Sequence, residues 1–364
     1  MFKNMAGITD YRAKLNELLL MTARQNASDL HLAVGRRPTL RIDGVLIQLQ
    51  QEPMLTPELA EGLVLELLTP GQREILFRDR QVDFSYSLED KARFRANAYF
   101  QRGFLAVALR LINAKIKTIE ELNLPPLLHE FTKLSQGFVL IVGPAGHGKS
   151  TTLASLVDEI NHTRTEHIIS IEDPIEYLFF QDKSIISQRE VRSDTLTFHS
   201  ALRTVLRQDP DVIMIGEMRD PISISTAMTA AETGHLVFAT LHTNSAAQTI
   251  DRIIDSFPAE QQGQITSQLA ATLIAIVSQR LIPRISGGRI PAMEIMIVNS
   301  AIRNLIRERK VYQIDLVIET SIQDGMMTLN RALSTLVRRK EISLENAETY
   351  SLNPNELRLM LDRS

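Results

Sequence analysis

Residues Gly143–Ser150 read GPAGHGKS, with the apolar run FVLIV (138–142) ahead of them and a helical pattern behind. Gly143 and Gly148 allow backbone conformations that a Cβ hinders, so successive N–H groups can point into one concavity, and the following helix adds its partly positive end. Lys149 supplies a full charge for β- and γ-phosphates, and Ser150 offers a hydroxyl to the Mg²⁺ that travels with ATP. With Gly146 and Thr151, these six residues are the candidate nucleotide site. The plain alternative, a glycine turn between strand and helix, leaves the whole spacing to chance. His147 occupies a variable position of the motif, where facing solvent is the simple expectation.

Outward from this loop, short apolar runs recur at 138–142, 168–171, 212–215 and 236–241, each ending beside polar residues and separated by helical patterns. Such runs predict a mainly parallel sheet covered on both faces, with ligands beyond the carboxyl ends of the strands. Four polar clusters are thereby expected at one edge. The first third reads differently. Leu15, Leu18, Leu19 and Met21 suggest a helix; Leu40, Ile42, Val45 and Ile47 suggest two strands around a turn at Asp43-Gly44. Thr56-Pro57 starts a second helix that Pro70 is expected to close, residues 93–110 read as strand, Gly103 turn, strand, and 112–117 as a connector. Thr118 with Glu121 resembles a capping box. After about residue 290 the pattern is mostly helical.

The composition narrows the classes. The 364 residues suffice for two or three domains, 44% are hydrophobic and 23% charged, and the net charge of −3 gives no electrostatic case for nucleic acid as a partner. With no cysteine, disulfides, thiolate nucleophiles and cysteine zinc sites are excluded together. No stretch approaches the roughly 18 apolar residues of a membrane span, so a membrane role is expected through partners and not by direct insertion.

ATP hydrolysis needs phosphate cradling, a metal, an oriented water and compensation of phosphoryl charge. HIISIEDPIEY (167–177) ends in Glu172, Asp173 and Glu176, and VIMIGEMRD (212–220) ends its strand in Gly216-Glu217. Because glycine takes the first position of that pair, Glu217 must hold the metal's water shell or the attacking water without an adjacent aspartate. Each cluster taken alone is more often a solvated turn. ETGHLVFATLHTNSA (232–246) carries His235 and His242 at either end of an apolar strand. A metal pair lacks further convergent ligands, a γ-phosphate sensor fits an ATPase, and hydrogen-bonded structural histidines are the remaining reading.

In this order, GPAGHGKSTT, IEDPIEY, IGEMRD and ETGHLVFATLHT resemble the motifs of the secretion-superfamily ATPases that power type II secretion and type IV pili. The resemblance extends over ASDLHLAVGRRPTLRIDG (27–44), RFRANAYFQRG (93–103), TIDRIIDSFP (249–258) and AIRNLIRERK (301–310). That last string resembles the signature of the retraction branch. The resemblance implies an α/β fold: a RecA-like P-loop core (119–289), a smaller PAS-like α+β amino-terminal domain (1–111), a linker (112–118) and a helical carboxyl-terminal part (290–364). It implies Lys149 and Ser150 on phosphate and Mg²⁺, Glu176 as catalytic carboxylate, Glu217 as the acid on the metal side, and His235 with His242 as a histidine pair. It also implies Arg95 and Arg110 as arginine fingers, although arginines in strands more often sit at solvated edges. The implied assembly is a homo-hexameric motor on the cytoplasmic face of the inner membrane, acting on a platform protein of a pilus machine. A paralogous retraction ATPase is left open as a further partner. Read as a helix alone, 301–309 is amphipathic, with Ala301, Ile302, Leu305 and Ile306 on one face and Arg303, Asn304, Arg307 and Glu308 largely opposite.

Overall fold

The computed structural model describes residues 10–25, 27–42, 44–89, 92–112 and 115–362. The chain divides into two units, 1–115 with 176–178, and 116–175 with 179–364.

In the first unit six strands form one antiparallel sheet: β1 (Asp29–Ala33), β2 (Thr39–Ile42), β3 (Val45–Gln48), β4 (Gln81–Leu88), β5 (Ala92–Gln101) and β6 (Phe104–Ile112), in the order β3-β2-β1-β6-β5-β4. Strand β5 shows why one face is covered: Ala92, Phe94, Ala96 and Ala98 are buried while Arg95 between them is exposed, the period of two that a half-buried strand requires. The helix Tyr11–Arg24 lends Leu15, Leu18 and Leu19 to the same core. Thr56 caps the helix Pro57–Glu66 as expected. Pro70 does not close that helix; it occupies the first turn of another, Pro70–Asp79, capped by Thr69. Proline suits a first turn because its missing N–H would be unpaired there in any case. Asp43 of the expected turn, and residues 113–114 of the expected connector, lie outside the described residues.

The second unit holds seven strands: β7 (Gly137–Val142), β8 (His167–Glu172), β9 (Ile185–Glu190), β10 (Val212–Ile215), β11 (Leu236–Leu241), β12 (Leu273–Pro283) and β13 (Arg289–Ile297), in the order β13-β12-β7-β11-β10-β8-β9. All neighbours are parallel except the β12–β13 hairpin. Every residue of β7, β10 and β11 is buried, which is why they read as unbroken apolar runs. The expected strands are all present. The hairpin differs from expectation, since 289–297 is strand where a helical pattern was read. β12 follows the helix Ala259–Thr272 with no glycine or proline between them, and an apolar run buried on both faces has no period that separates strand from helix. Helices follow from Ser300–Arg307 to Pro354–Asp362, and Leu329, Leu333, Ile342 and Leu357 pack against Ile282 and Ile290 of the hairpin.

Candidate nucleotide site

Parallel register sets the geometry. Val142 stands opposite Leu241 of β11 and Ser278 of β12, and Ile215 stands opposite Ile171 and Ala239. The loops after β7, β8, β10 and β11 therefore leave the sheet on one edge. After β7 the chain passes through Gly143, Gly146 and Gly148, with φ of 146°, 77° and 81°, into the helix Lys149–Thr163. Gly143 also runs close against β12: a Cβ there would stand 2.3 Å from the Gln279 carbonyl oxygen. The buried Lys149 Nζ donates to the carbonyls of Gly143 (2.9 Å) and Pro144 (3.0 Å). Ser150 and Thr151 open the helix beside it.

Gly216 and Glu217 follow β10. The Gly216 N–H donates to the Ile171 carbonyl (2.9 Å), and a Cβ on Gly216 would come within 3.3 Å of that oxygen and 3.4 Å of the Glu172 Cα. A side chain at this position crowds β8, and the glycine of the pair avoids that contact. Glu217 Oε2 accepts from Arg219 Nη2 (2.8 Å), and Glu217 Oε1 lies 3.2 Å from His242 Nε2. Burial pushes the Glu217 carboxyl up, but the Arg219 guanidinium and His242 outweigh it and hold it below the usual range, so it is ionised at neutral pH. His242 Nδ1 lies 3.2 Å from Lys149 Nζ. An ammonium can only donate, so Nδ1 accepts, the ring proton sits on Nε2, and Nε2–H donates to Glu217. Arg219, Glu217, His242 and Lys149 thus form one continuous polar chain at the strand ends.

The structure does not bring all expected residues into this chain. His235 precedes β11, at the opposite edge of the sheet, where its carbonyl accepts from the Gly137 N–H (3.0 Å) at the start of β7. Its Nδ1 donates to the Ala230 carbonyl at 2.9 Å. The six residues of β11 separate it from His242 by roughly 20 Å, so the two histidines form no local pair in this chain. Glu172 points inward, accepting from Ser170 Oγ (2.7 Å) and Gln188 Nε2 (3.3 Å). Glu176 is exposed, and residues 176–178 group with the first unit. Arg95 and Arg110 are both exposed there and stand directly opposite each other across β5 and β6; Arg110 Nε donates to Asp29 Oδ1 at 2.9 Å. In the helix Ser300–Arg307, Ile302 and Ile306 are buried, but Ala301 is exposed and Arg303 is half-buried, its Nε donating to the Ala270 carbonyl (2.9 Å).

Three residues were not legible as site elements. His147 is half-buried rather than solvent-facing, and its Nδ1 accepts from the Leu281 N–H (2.9 Å). Gln279, buried on β12, donates from Nε2 to the His147 carbonyl (2.8 Å) and accepts from Thr152 Oγ1 (2.7 Å). Glu294, buried on β13, accepts from the Ala246 N–H at 2.7 Å, just past the His242 loop. Burial, with help from Asp315, pushes its carboxyl up to about 7 against the pull of that N–H and of Arg280. The one signal for Glu294 was a charge inside the apolar run AMEIMIV (292–298).

A glycine loop running from a buried parallel strand into a helix, with an ionised acid at the end of a strand in the same sheet, defines a P-loop nucleotide hydrolase. The chain belongs to the type II/IV secretion system protein family, whose model matches residues 11–348, and it is an ATPase. It is 46% identical over 340 residues to the type IV pilus retractation ATPase PilT of Pseudomonas aeruginosa, covering 93% of this chain and 98% of the relative. It is 39% identical to the type IV pilus ATPase PilU of the same organism, covering 96% and 91%. Its fold matches the crystal structure of the pilus retraction motor PilT with bound ADP at a TM-score of 0.89 and 47% identity, covering 95% of this chain and 99% of that one.

Proposed function

We propose that this chain is an ATP-driven motor that retracts type IV pili, working as a homo-hexamer at the cytoplasmic face of the inner membrane on the platform protein of the pilus machine. The observation that carries the reading is the near full-length match to PilT, joined to a strand edge at which Glu217 reaches Lys149 through His242.

In this reading the loop N–H groups of 143–148 and Lys149 hold the β- and γ-phosphates. Ser150 and ionised Glu217 form an all-oxygen donor set that suits Mg²⁺, the remaining ligands being phosphate oxygens and water. When bound, Mg²⁺ neutralises charge on the phosphate oxygens. Lys149 releases the Gly143 and Pro144 carbonyls to take the phosphates, and His242 reports that change to Glu217. Glu176 orients the attacking water. Arg95 and Arg110 reach a nucleotide in the ring as arginine fingers, planar forks matched to phosphate oxygens. His235 takes a structural role, since its ring is committed to Ala230. Among the described residues no helix is long and apolar enough to cross a membrane.

A second reading, an accessory retraction paralogue, is favoured by the 39% identity to PilU. Two measurements separate the readings. Full-length protein should release phosphate from ATP, and Lys149→Ala should abolish release; a parent without turnover would instead be a nucleotide-binding scaffold. Deletion of the gene should leave surface pili that no longer shorten, whereas normal retraction assigns the motor to the accessory role or to secretion.

A further inference from the structure

His147 is a side chain of the phosphate loop that reaches out of it and into the sheet. Its Nδ1 accepts from the backbone N–H of Leu281 on β12 at 2.9 Å, while its own carbonyl accepts from Gln279 Nε2 at 2.8 Å. The ring also meets Tyr350, the last residue of the helix Leu344–Tyr350, edge to face, with centroids 6.1 Å apart and planes at 64°. One residue earlier, the Gly146 carbonyl accepts from Arg289 Nη1 at 3.3 Å. The helix bearing Tyr350 is itself held to β12, because Asn346 Nδ2 donates to the Pro283 carbonyl (3.1 Å). Imidazole and loop backbone are therefore gripped by β12, β13 and a carboxyl-terminal helix together.

We propose that His147 is a positioning residue for the nucleotide: its imidazole pins the phosphate loop to Leu281, so that the loop N–H groups are held ready for phosphate. This rests on the reading of 143–151 as the nucleotide site. The contact needs a neutral ring with its proton on Nε2, because an imidazolium has no acceptor to offer an N–H. The charged and titratable groups around the ring are Lys149 on the loop helix, Arg280 on β12, Arg289 on β13 and the Tyr350 phenol. Burial, followed by Arg280, Arg289 and Lys149, holds the imidazole below its ordinary range, so the accepting form prevails at neutral pH. Asparagine places Oδ1 close to where histidine carries Nδ1 and does not titrate. It is the variant that separates the accepting atom from the charge.

The test is equilibrium binding of ADP with Mg²⁺ to the full-length protein, for the parent, His147→Ala, His147→Asn and Lys149→Ala, between pH 8 and pH 5.5. At pH 8, His147→Ala should bind about 10-fold more weakly, the loss of one hydrogen bond and of the loop order that depends on it. His147→Asn should stay within about twofold of the parent, since it keeps an acceptor. On acidification the parent should weaken relative to His147→Asn, a comparison in which titration of ADP itself cancels. The proposal is overturned if His147→Ala binds as the parent does, if Asn fails to rescue what Ala loses, or if parent and Asn variant share one pH profile. Lys149→Ala distinguishes the levels: ADP binding that survives it removes the site reading itself, whereas its loss beside a normal His147→Ala removes only the role of His147.

Discussion

His242 Nε2 lies 3.2 Å from Glu217 Oε1, and the opposite ring nitrogen lies 3.2 Å from Lys149 Nζ, so one imidazole joins the acid after β10 to the lysine of the glycine loop after β7. In the proposed reading, a phosphate that draws Lys149 away would remove the donor to Nδ1, leave the ring with an acceptor to offer, and pass the change to Glu217 through Nε2.

From this arrangement, Glu217→Gln should lower ATP turnover by on the order of 10²-fold or more, while ADP affinity changes only a few-fold, because an ionised acid is needed for the reaction and not for holding phosphate. His242→Ala should lower kcat by roughly 10-fold to 100-fold. Steady-state phosphate release beside ADP titration checks both; a large loss of ADP affinity in either variant would place the residue in phosphate holding instead.

Gly143→Ala should be far more damaging than its single methyl suggests. The new Cβ would meet the Gln279 carbonyl oxygen at 2.3 Å, and the φ of 146° is one that L-residues avoid. Strain of about 1–3 kcal/mol should lower the melting temperature and move the loop enough to cost ADP affinity at least ~10-fold. A variant that melts and binds like the parent would refute the close approach of β7 and β12.

Glu294 predicts a pH-dependent stability. Its carboxyl stands near 4.5 when unfolded and about 7 when folded. Between those values the folded chain holds the extra proton, so its stability falls as pH rises. Glu294→Gln keeps the acceptor for Ala246 and cannot ionise. It should match the parent near pH 4 and exceed it by on the order of 1–3 kcal/mol at pH 8. Thermal unfolding against pH reads this directly, and a difference that stays flat across the range excludes the assignment.

The opposite partner set surrounds His129, whose Nδ1 lies 2.8 Å from Glu159 Oε2 on the phosphate-loop helix and whose Nε2 lies 2.9 Å from Glu120 Oε1. The Glu159 hydrogen bond, opposed by burial and aided by the charges of Glu159 and Glu120, raises this imidazole above 6.5. Its stabilisation is fully present below 6.5 and fades as pH rises through the raised value. His129→Ala should therefore lose more melting temperature at pH 6 than at pH 9, and an equal loss at both would mean the ring acts by packing alone.

The sequence by itself determined the glycine loop, the parallel strands at 138–142, 168–171, 212–215 and 236–241, and the two hairpins β2–β3 and β5–β6 of the first unit, though not β1 or β4. These are local: a glycine spacing, an apolar run bounded by polar residues, or an alternation of two is visible in the letters that form it. Tertiary structure alone decided which of those letters meet. His235 and His242 look equivalent in sequence, yet the direction of β11 sends them to opposite edges, and only His242 meets Glu217 and Lys149. The β12–β13 hairpin was hidden because a strand buried on both faces has no period, and the need for Gly143 came from the carbonyl of Gln279, far away in the chain. His147 makes the point most sharply, since its neutral form and its hold on the loop depend on Leu281 and Tyr350, between about 130 and 200 residues further on. Hydrogen bonds and burial of that span exist only once the sheet has closed.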